Sequence, residues 1–451
     1  MLKYMQLCNE LENAVRSGLL KQGSKLPSIR RLAEQYQCST STILAALDEL
    51  ERRHMIYSIP RSGYYVVQTS SKKEKAEALP IDFAASAPDP ELFPYLDFQH
   101  CINKAIDTYR NDLFIYGTAR GLPSLLAVMQ KQLADLQVFA PERHMVVTSG
   151  VQQALAVLAA IPFPNGKKAV LMEQPGYHLF IQHLVTHQIP ALGISRTAGG
   201  LDLDELEQLF RTGDIKFFYT TPRFHHPLGT SYTNAQKKEI VELAHKYDVY
   251  LVEDDYMADL EQDSKADPMY AFDRNEKVIY LKSYSKIIFP GLRVGLAVLP
   301  ESLVQVFTHY KRTLDIDSSM LSQGALEIYL KSGMFERHKM NIRASYAKRG
   351  AQLAKSITQE LPLCGGAFTY PANGYPSIHT HLVLHERISI PRIIQRMKKR
   401  NVLLGPIDSH YLPGHRQENL LKLNATTIQE ADIGLGIAQL AEELRKERNR
   451  R

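Results

Sequence analysis

The chain has 451 residues, 44% of them hydrophobic and 23% charged, with a formal net charge of +6. That length exceeds one average domain, and the balance is that of a soluble globular protein. No run approaches the roughly 18 uninterrupted apolar residues of a membrane span, so a cytoplasmic location is expected. The four cysteines, Cys8, Cys38, Cys101 and Cys364, show no CxxC spacing, which excludes a disulfide framework and a cysteine zinc site.

Residues 1–67 form a first unit with its own pattern. Tyr4, Leu7, Leu11 and Val15 recur at helical spacing up to Gly18. In "KLPSIRRLAEQY" Ser28 is placed to cap a second helix whose inner side is Ile29, Leu32, Ala33 and Tyr36. A third helix starts after Ser39 in "CSTSTILAALDELERR" and buries Ile43, Ala46, Leu47 and Leu50. "MIYSIPRSGYYVV" then reads as two short strands turning at Pro60-Arg61-Ser62-Gly63. Three short helices and a hairpin in this order predict a winged helix-turn-helix, and the pattern by itself also leaves open a small helical oligomerisation domain. The unit holds nine lysines and arginines against six acids, a net of +3, modest for one DNA module and better served by two copies.

Over about 50 residues, with its G-x-x-L-P-S-x-R core and the Ser-Gly of the wing, this stretch resembles the GntR-type DNA-binding domain. The resemblance implies binding to double-stranded DNA through Arg30, through Ser39, Thr40, Ser41 and Thr42 at the start of the third helix, and through Arg61 and Gly63 of the wing. Thr40 stands where the family often has arginine, so less direct reading of guanine is expected.

"QTSSKKEKAEALP", residues 68–80, is polar and poor in large apolar side chains, as a linker is. From residue 81 to 451, strand-like and helix-like runs alternate, which predicts a mainly parallel α/β sheet. Such sheets build ligand sites at their strand ends. "HMVVTSGVQQALAVLAA" is a strand, a turn and a helix start able to take a phosphate on Ser149, Gly150, Val151 and Gln152, although any strand-turn-helix looks like this. "EQPGY" sets Tyr177 just past another strand. In "YLVEDDYMADL" a strand ends in Glu253, Asp254 and Asp255, and a buried carboxylate there needs a cation or a donor. "KVIYLKSYSKIIFPGLRVG" supplies Lys286, a lysine at a strand end that desolvation would make nucleophilic, and Arg293, a planar fork for phosphate.

Each feature has a plain structural explanation, and together they specify pyridoxal 5′-phosphate. Lys286 is the expected Schiff-base lysine, Asp254 the partner of the ring nitrogen, Tyr177 the stacking ring, and Arg293 with the 149–152 turn the phosphate site. The S-x-S-K-x-x-x-P-G-x-R-x-G element, "YGTARGLPSLLAVM" and "EQPGY" resemble the fold-type I aminotransferases over residues 81–440. That resemblance adds Tyr256 for the ring hydroxyl, Ser283 and Ser285 for the phosphate, and Tyr116 reaching the phosphate of a partner subunit, hence a homodimer. A GntR-type module fused to such a domain resembles the MocR/GabR family of bacterial transcriptional regulators, in which the aminotransferase fold senses an effector and alters DNA binding.

Two departures bear on chemistry. "TTPRFHHPLG" has His226 where aminotransferases commonly carry asparagine, and Leu228 in place of threonine. "LLKLNATTI" has Lys422 where an arginine commonly grips a substrate carboxylate, so effector binding at Lys422 lacks a fork. Leu179 lacks the charge found there in the GABA-responsive relative, so GABA is not the expected effector. These changes favour a sensor of pyridoxal phosphate, an amine or an amino acid. Steady-state transamination would instead identify a working aminotransferase carrying a DNA-binding domain, and a footprint indifferent to every ligand would identify a plain repressor. No metal site is expected, since neither His379 and His381 nor His225 and His226 have a completing carboxylate or cysteine, and the charged end "EELRKERNRR" is expected to be solvated.

Overall fold

In the computed structural model, residues 3–16, 19–20, 23–52, 55–59, 62–66, 80–263, 265–371 and 377–449 are described. The Val15 side chain, Gly18, Pro60, Arg61 and the linker as far as residue 79 lie outside them. The chain divides into two compact units, Met1–Leu79 and Pro80–Arg451.

The first unit is a winged helix-turn-helix of helices Lys3–Arg16, Ile29–Gln35 and Thr40–Arg52 and an antiparallel hairpin, Ile56–Ile59 against Gly63–Val66. Local signals define its helix starts. Ser28 accepts from the Arg31 N–H at 3.3 Å, and Ser39 accepts from the Thr42 N–H at 3.2 Å, each meeting a first-turn donor that the helix leaves unpaired. Leu7, Leu11, Leu32, Ile43, Ala46, Leu47 and Leu50 close one core with Ile56 and Val66. Ile29, Ala33 and Tyr36 only border it.

The second unit is built on an eight-stranded sheet in the order Met145–Thr148, Gly295–Val298, Val278–Ser283, Tyr250–Asp254, Ile215–Thr220, Ala169–Gln174, Ala191–Thr197, Gly200–Leu201. The five strands from Val278–Ser283 to Ala191–Thr197 pair in parallel, while Gly295–Val298 runs antiparallel to both its neighbours. Continuous burial along Ala169–Gln174, Ile215–Thr220, Tyr250–Asp254 and Val278–Ser283 is the signature of a sheet covered on both faces. Apolar clusters lie on its two sides, one around Tyr280, Tyr284 and Leu326, the other around Leu155, Phe217 and Phe307.

A smaller three-stranded antiparallel sheet, Phe368–Thr369, His379–Leu384 and Leu420–Asn424, shares a core with helices Met334–Glu360, Ile390–Lys399 and Glu430–Arg448. The charged C-terminal run departs from expectation. Glu443 and Glu447 are buried, and they pair with Arg392 and Arg396 of the neighbouring helix and with Arg400 at its C-cap, because Leu444 and the residues one turn away dock that face into the core.

Candidate functional site

The parallel strands end on one edge of the sheet, and the residues following them converge on a cavity of about 250 Å³. Gly150, Val151 and Gln152 follow Met145–Thr148, Tyr177 follows Ala169–Gln174, Thr221 and His226 follow Ile215–Thr220, Asp254 and Tyr256 close Tyr250–Asp254, and Ser283, Ser285 and Lys286 close Val278–Ser283. Arg293 completes that side.

Lys286 donates to the Ser86 carbonyl and sits 3.3 Å from the Ser86 hydroxyl. Burial pushes its ammonium down to about 8, so about a tenth of the amine is neutral and nucleophilic at pH 7 and about half at pH 8. Asp254 is buried, and burial pushes its carboxyl up to about 7 against the hydrogen bond that Tyr219 Oη donates at 2.8 Å. Its second oxygen, Oδ1, has no partner among the described residues. A buried carboxylate oxygen left unpaired at a cavity wall fits a cationic ring N–H.

At the phosphate end, Gly150 adopts φ +86° and precedes helix Val151–Ala160 with no side-chain cap, leaving first-turn amides for an anion. Arg293, itself left-handed at φ 54°, donates from Nη2 to the Ser149 carbonyl at 2.7 Å. A Cβ on Gly150 would come 3.0 Å from that guanidinium. Gly295 lies under the turn, where a Cβ would stand 2.9 Å from the Gly150 backbone. Gly295→Ala is therefore expected to displace the turn and weaken binding of added pyridoxal phosphate about 5- to 160-fold, the equivalent of about 1–3 kcal/mol of overpacking, measured by absorbance titration with the thermal melt as a check on folding.

Three residues named from the sequence stand elsewhere. The Ser149 hydroxyl points to Asp315 Oδ2 at 3.1 Å, and its carbonyl serves Arg293. Tyr116 is 80% exposed beside Phe114 and Ile115. Lys422 is absent from the cavity lining, since its ammonium donates to His410 Nε2 at 2.9 Å and the His410 ring packs on His226, which faces the cavity. Tyr256 lines the cavity with its hydroxyl given to the Phe224 carbonyl at 2.8 Å and 3.1 Å from His379 Nε2.

Sequence reasoning passed over Ser86, His178, Tyr219, Thr221 and His379 as lining residues, and His410 behind them. Burial, followed by the Lys422 ammonium, pushes His410 down to about 3, so its neutral ring accepts from Lys422 and donates from Nδ1 to the Gly176 carbonyl at 2.8 Å. Burial likewise pushes His379 down to about 3 and His226 well below the usual range. His226 is carried on a loop clamped from beneath by Glu173, which pairs with Arg196 at 2.6 Å and accepts from the Thr221 N–H at 3.0 Å.

In the first unit, Arg30, Thr40, Ser41 and Gly63 are exposed, whereas Thr42 is half-buried. The Ser39 hydroxyl, though exposed, is 2.8 Å from that of Ser41 and 2.9 Å from that of Thr42, besides capping the helix.

Residues 81–425 match the family model of aminotransferase class I and II, and residues 3–66 match that of bacterial regulatory proteins, gntR family. An uncharacterized HTH-type transcriptional regulator of Bacillus subtilis (strain 168), YcxD, is 56% identical, covering 98% of this chain and 100% of its own length. Aromatic-amino-acid aminotransferase 1 of Thermococcus litoralis is 26% identical, covering 81% of this chain and 88% of its own. The solved kynurenine aminotransferase of Pyrococcus horikoshii superposes with a TM-score of 0.75 at 25% identity, over 83% of this chain and 93% of that one.

Proposed function

This chain belongs to the aminotransferase class I and II family and carries a gntR-family DNA-binding domain ahead of it, the make-up of a transcriptional regulator, and on that premise we propose that it binds a promoter operator as a homodimer and senses pyridoxal phosphate or a small amine or amino acid at Lys286. The observation that carries the sensor is the pairing, in one cavity, of a lysine held down to about 8 with a buried aspartate whose Oδ1 has no partner among the described residues. Bound there, pyridoxal phosphate supplies an aldehyde for amines and a ring that draws electrons toward its nitrogen. Lys286 is the attachment point, Asp254 holds the proton on the ring nitrogen, and Tyr177 covers the ring. Arg293, Ser283, Ser285 and the first-turn amides of helix Val151–Ala160 hold the phosphate.

The exposed run Phe114-Ile115-Tyr116 supports self-association, with Tyr116 free to serve a partner's site. Arg30 and the exposed hydroxyls of Thr40 and Ser41 suit DNA contacts. Among the described residues no helix is long and apolar enough to cross a membrane.

A sensor rather than an efficient enzyme is favoured by the fate of Lys422. Its ammonium is engaged by His410, and it offers a carboxylate one point of charge. The expected result is a footprint on the protein's own promoter region that changes in extent or affinity when pyridoxal phosphate is added. A footprint unaltered by pyridoxal phosphate and by candidate amines would overturn the sensor role, and steady-state transamination would establish the enzyme instead.

A further inference from the structure

The helix that faces DNA in the proposed function opens as Ser39-Thr40-Ser41-Thr42-Ile43-Leu44-Ala45-Ala46-Leu47, with no lysine, arginine, asparagine or glutamine. Its first two turns therefore lack every side chain that makes a paired bond to guanine or adenine in the major groove. Their inner side is spent on the core, with Ile43, Ala46 and Leu47 fully buried. On the outer side stand Thr40 and Ser41, both exposed, and Leu44, three and four residues on and 39% exposed. Ser39 and Thr42 are engaged with one another, as hydroxyl to hydroxyl and as cap. The nearby cations, Lys25, Arg30 and Arg31, belong to other segments of the unit and suit phosphate.

Leu44 is thus the one large apolar group on the exposed face of these two turns. The base-edge group in the major groove that an isobutyl side chain can recognise is the C5 methyl of thymine. We propose that Leu44 is a specificity-determining residue that reads thymine by methyl contact, placed by the same helix start that sets Thr40 and Ser41 against the DNA. The inference rests on the DNA-binding function proposed above and names the base that function selects.

Replacing thymine by uracil removes the methyl and leaves the pairing. Loss of one buried methyl corresponds to about 4-fold in affinity, and one contact in each of two half-sites to about 16-fold. The test is fluorescence anisotropy of the full chain on a duplex from its own promoter region, on the same duplex with uracil for thymine, and on a scrambled duplex of equal composition. Wild type is expected to bind the uracil duplex about 4- to 16-fold more weakly. Leu44→Ala is expected to lose a similar factor on the thymine duplex and to bind both duplexes alike. Alanine at an exposed helical site does not threaten folding, and the helical circular dichroism should be retained.

Equal wild-type affinity for the thymine and uracil duplexes, or a full thymine preference surviving in Leu44→Ala, would overturn the role of Leu44 while leaving DNA binding intact. Equal affinity for promoter and scrambled duplexes would instead remove the sequence-specific DNA binding on which the inference stands.

Discussion

Lys286→Ala mixed with pyridoxal phosphate is expected to show none of the visible absorption that an amine condensed with the cofactor aldehyde gives, whereas wild type turns yellow. The loss should be complete, because the other lysines near the cavity do not line it: Lys422 is turned to His410. The reaction should also carry a pH signature. Burial holds the Lys286 amine at about 8, so about half is neutral at pH 8, against under ~1% for an unperturbed lysine near 10.4. The rate of colour formation, followed by stopped-flow absorbance, should rise with pH to about 8 and flatten above it. A rate still climbing tenfold per unit at pH 9 would show an ordinary solvated lysine, and colour in Lys286→Ala would place the attachment elsewhere.

Asp254→Asn is expected to act in opposite directions on the free and loaded protein. In the free protein, burial holds the carboxyl at about 7, above an unfolded value near 3.9, so between those values the folded chain keeps a proton that the unfolded chain has released. Stability conferred at low pH is therefore lost as pH rises from about 4 to about 7, by at most about 4 kcal/mol. Asparagine carries no such charge and still accepts from Tyr219, so above pH 7 the free variant should melt later than wild type. In the loaded protein the variant lacks the charge that faces the ring nitrogen. Breaking a desolvated charge pair costs about 2–5 kcal/mol, which is about 30-fold or more in pyridoxal phosphate affinity. Thermal melts between pH 5 and 8, with and without the cofactor, read both effects. An affinity equal to wild type would remove Asp254 from the ring nitrogen.

The imidazoles give the site a different character from the one its motifs suggest. His226, His379 and His410 are held neutral by burial, and their rings pack edge to face or tilted at centroid distances of 5.2 and 5.6 Å from His226. His226 and His379 put uncharged rings on the cavity lining, and His410 packs behind His226 and takes the Lys422 ammonium. The Lys422 ammonium is thereby kept from standing as a bare cation in the cavity.

Much of the molecule was legible because the deciding interactions are local. Ser28 and Ser39 cap helices within three residues of themselves, and the apolar spacing of Ile43, Ala46, Leu47 and Leu50 alone implies a buried face. The convergence of Asp254, Lys286 and Arg293 on one cavity was legible because Asp254 and Lys286 lie at or just beyond buried parallel strands, while Arg293 stands two residues before the antiparallel strand Gly295–Val298, which starts at that same edge. In the C-terminal run the expected solvation holds for Lys446 and Asn449, which are exposed, and fails for Glu443 and Glu447, which are buried and paired with arginines some fifty residues earlier in the chain.

The winged helix, the α/β sheet and the contiguous motifs at the strand ends could be read along the chain, since helix caps, periodicity and strand polarity act over a few residues. That Ser86 receives Lys286, that His379 lines the cavity from the small sheet, and that His410 stands between Lys422 and His226 became visible in the folded chain alone. Ser86 and Lys286 alone are 200 residues apart, and a histidine on a strand buried along nearly its whole length carries no local mark of what it will face. Packing of the small sheet's core brings them together, and that is a sum of many nonlocal contacts with no motif of its own.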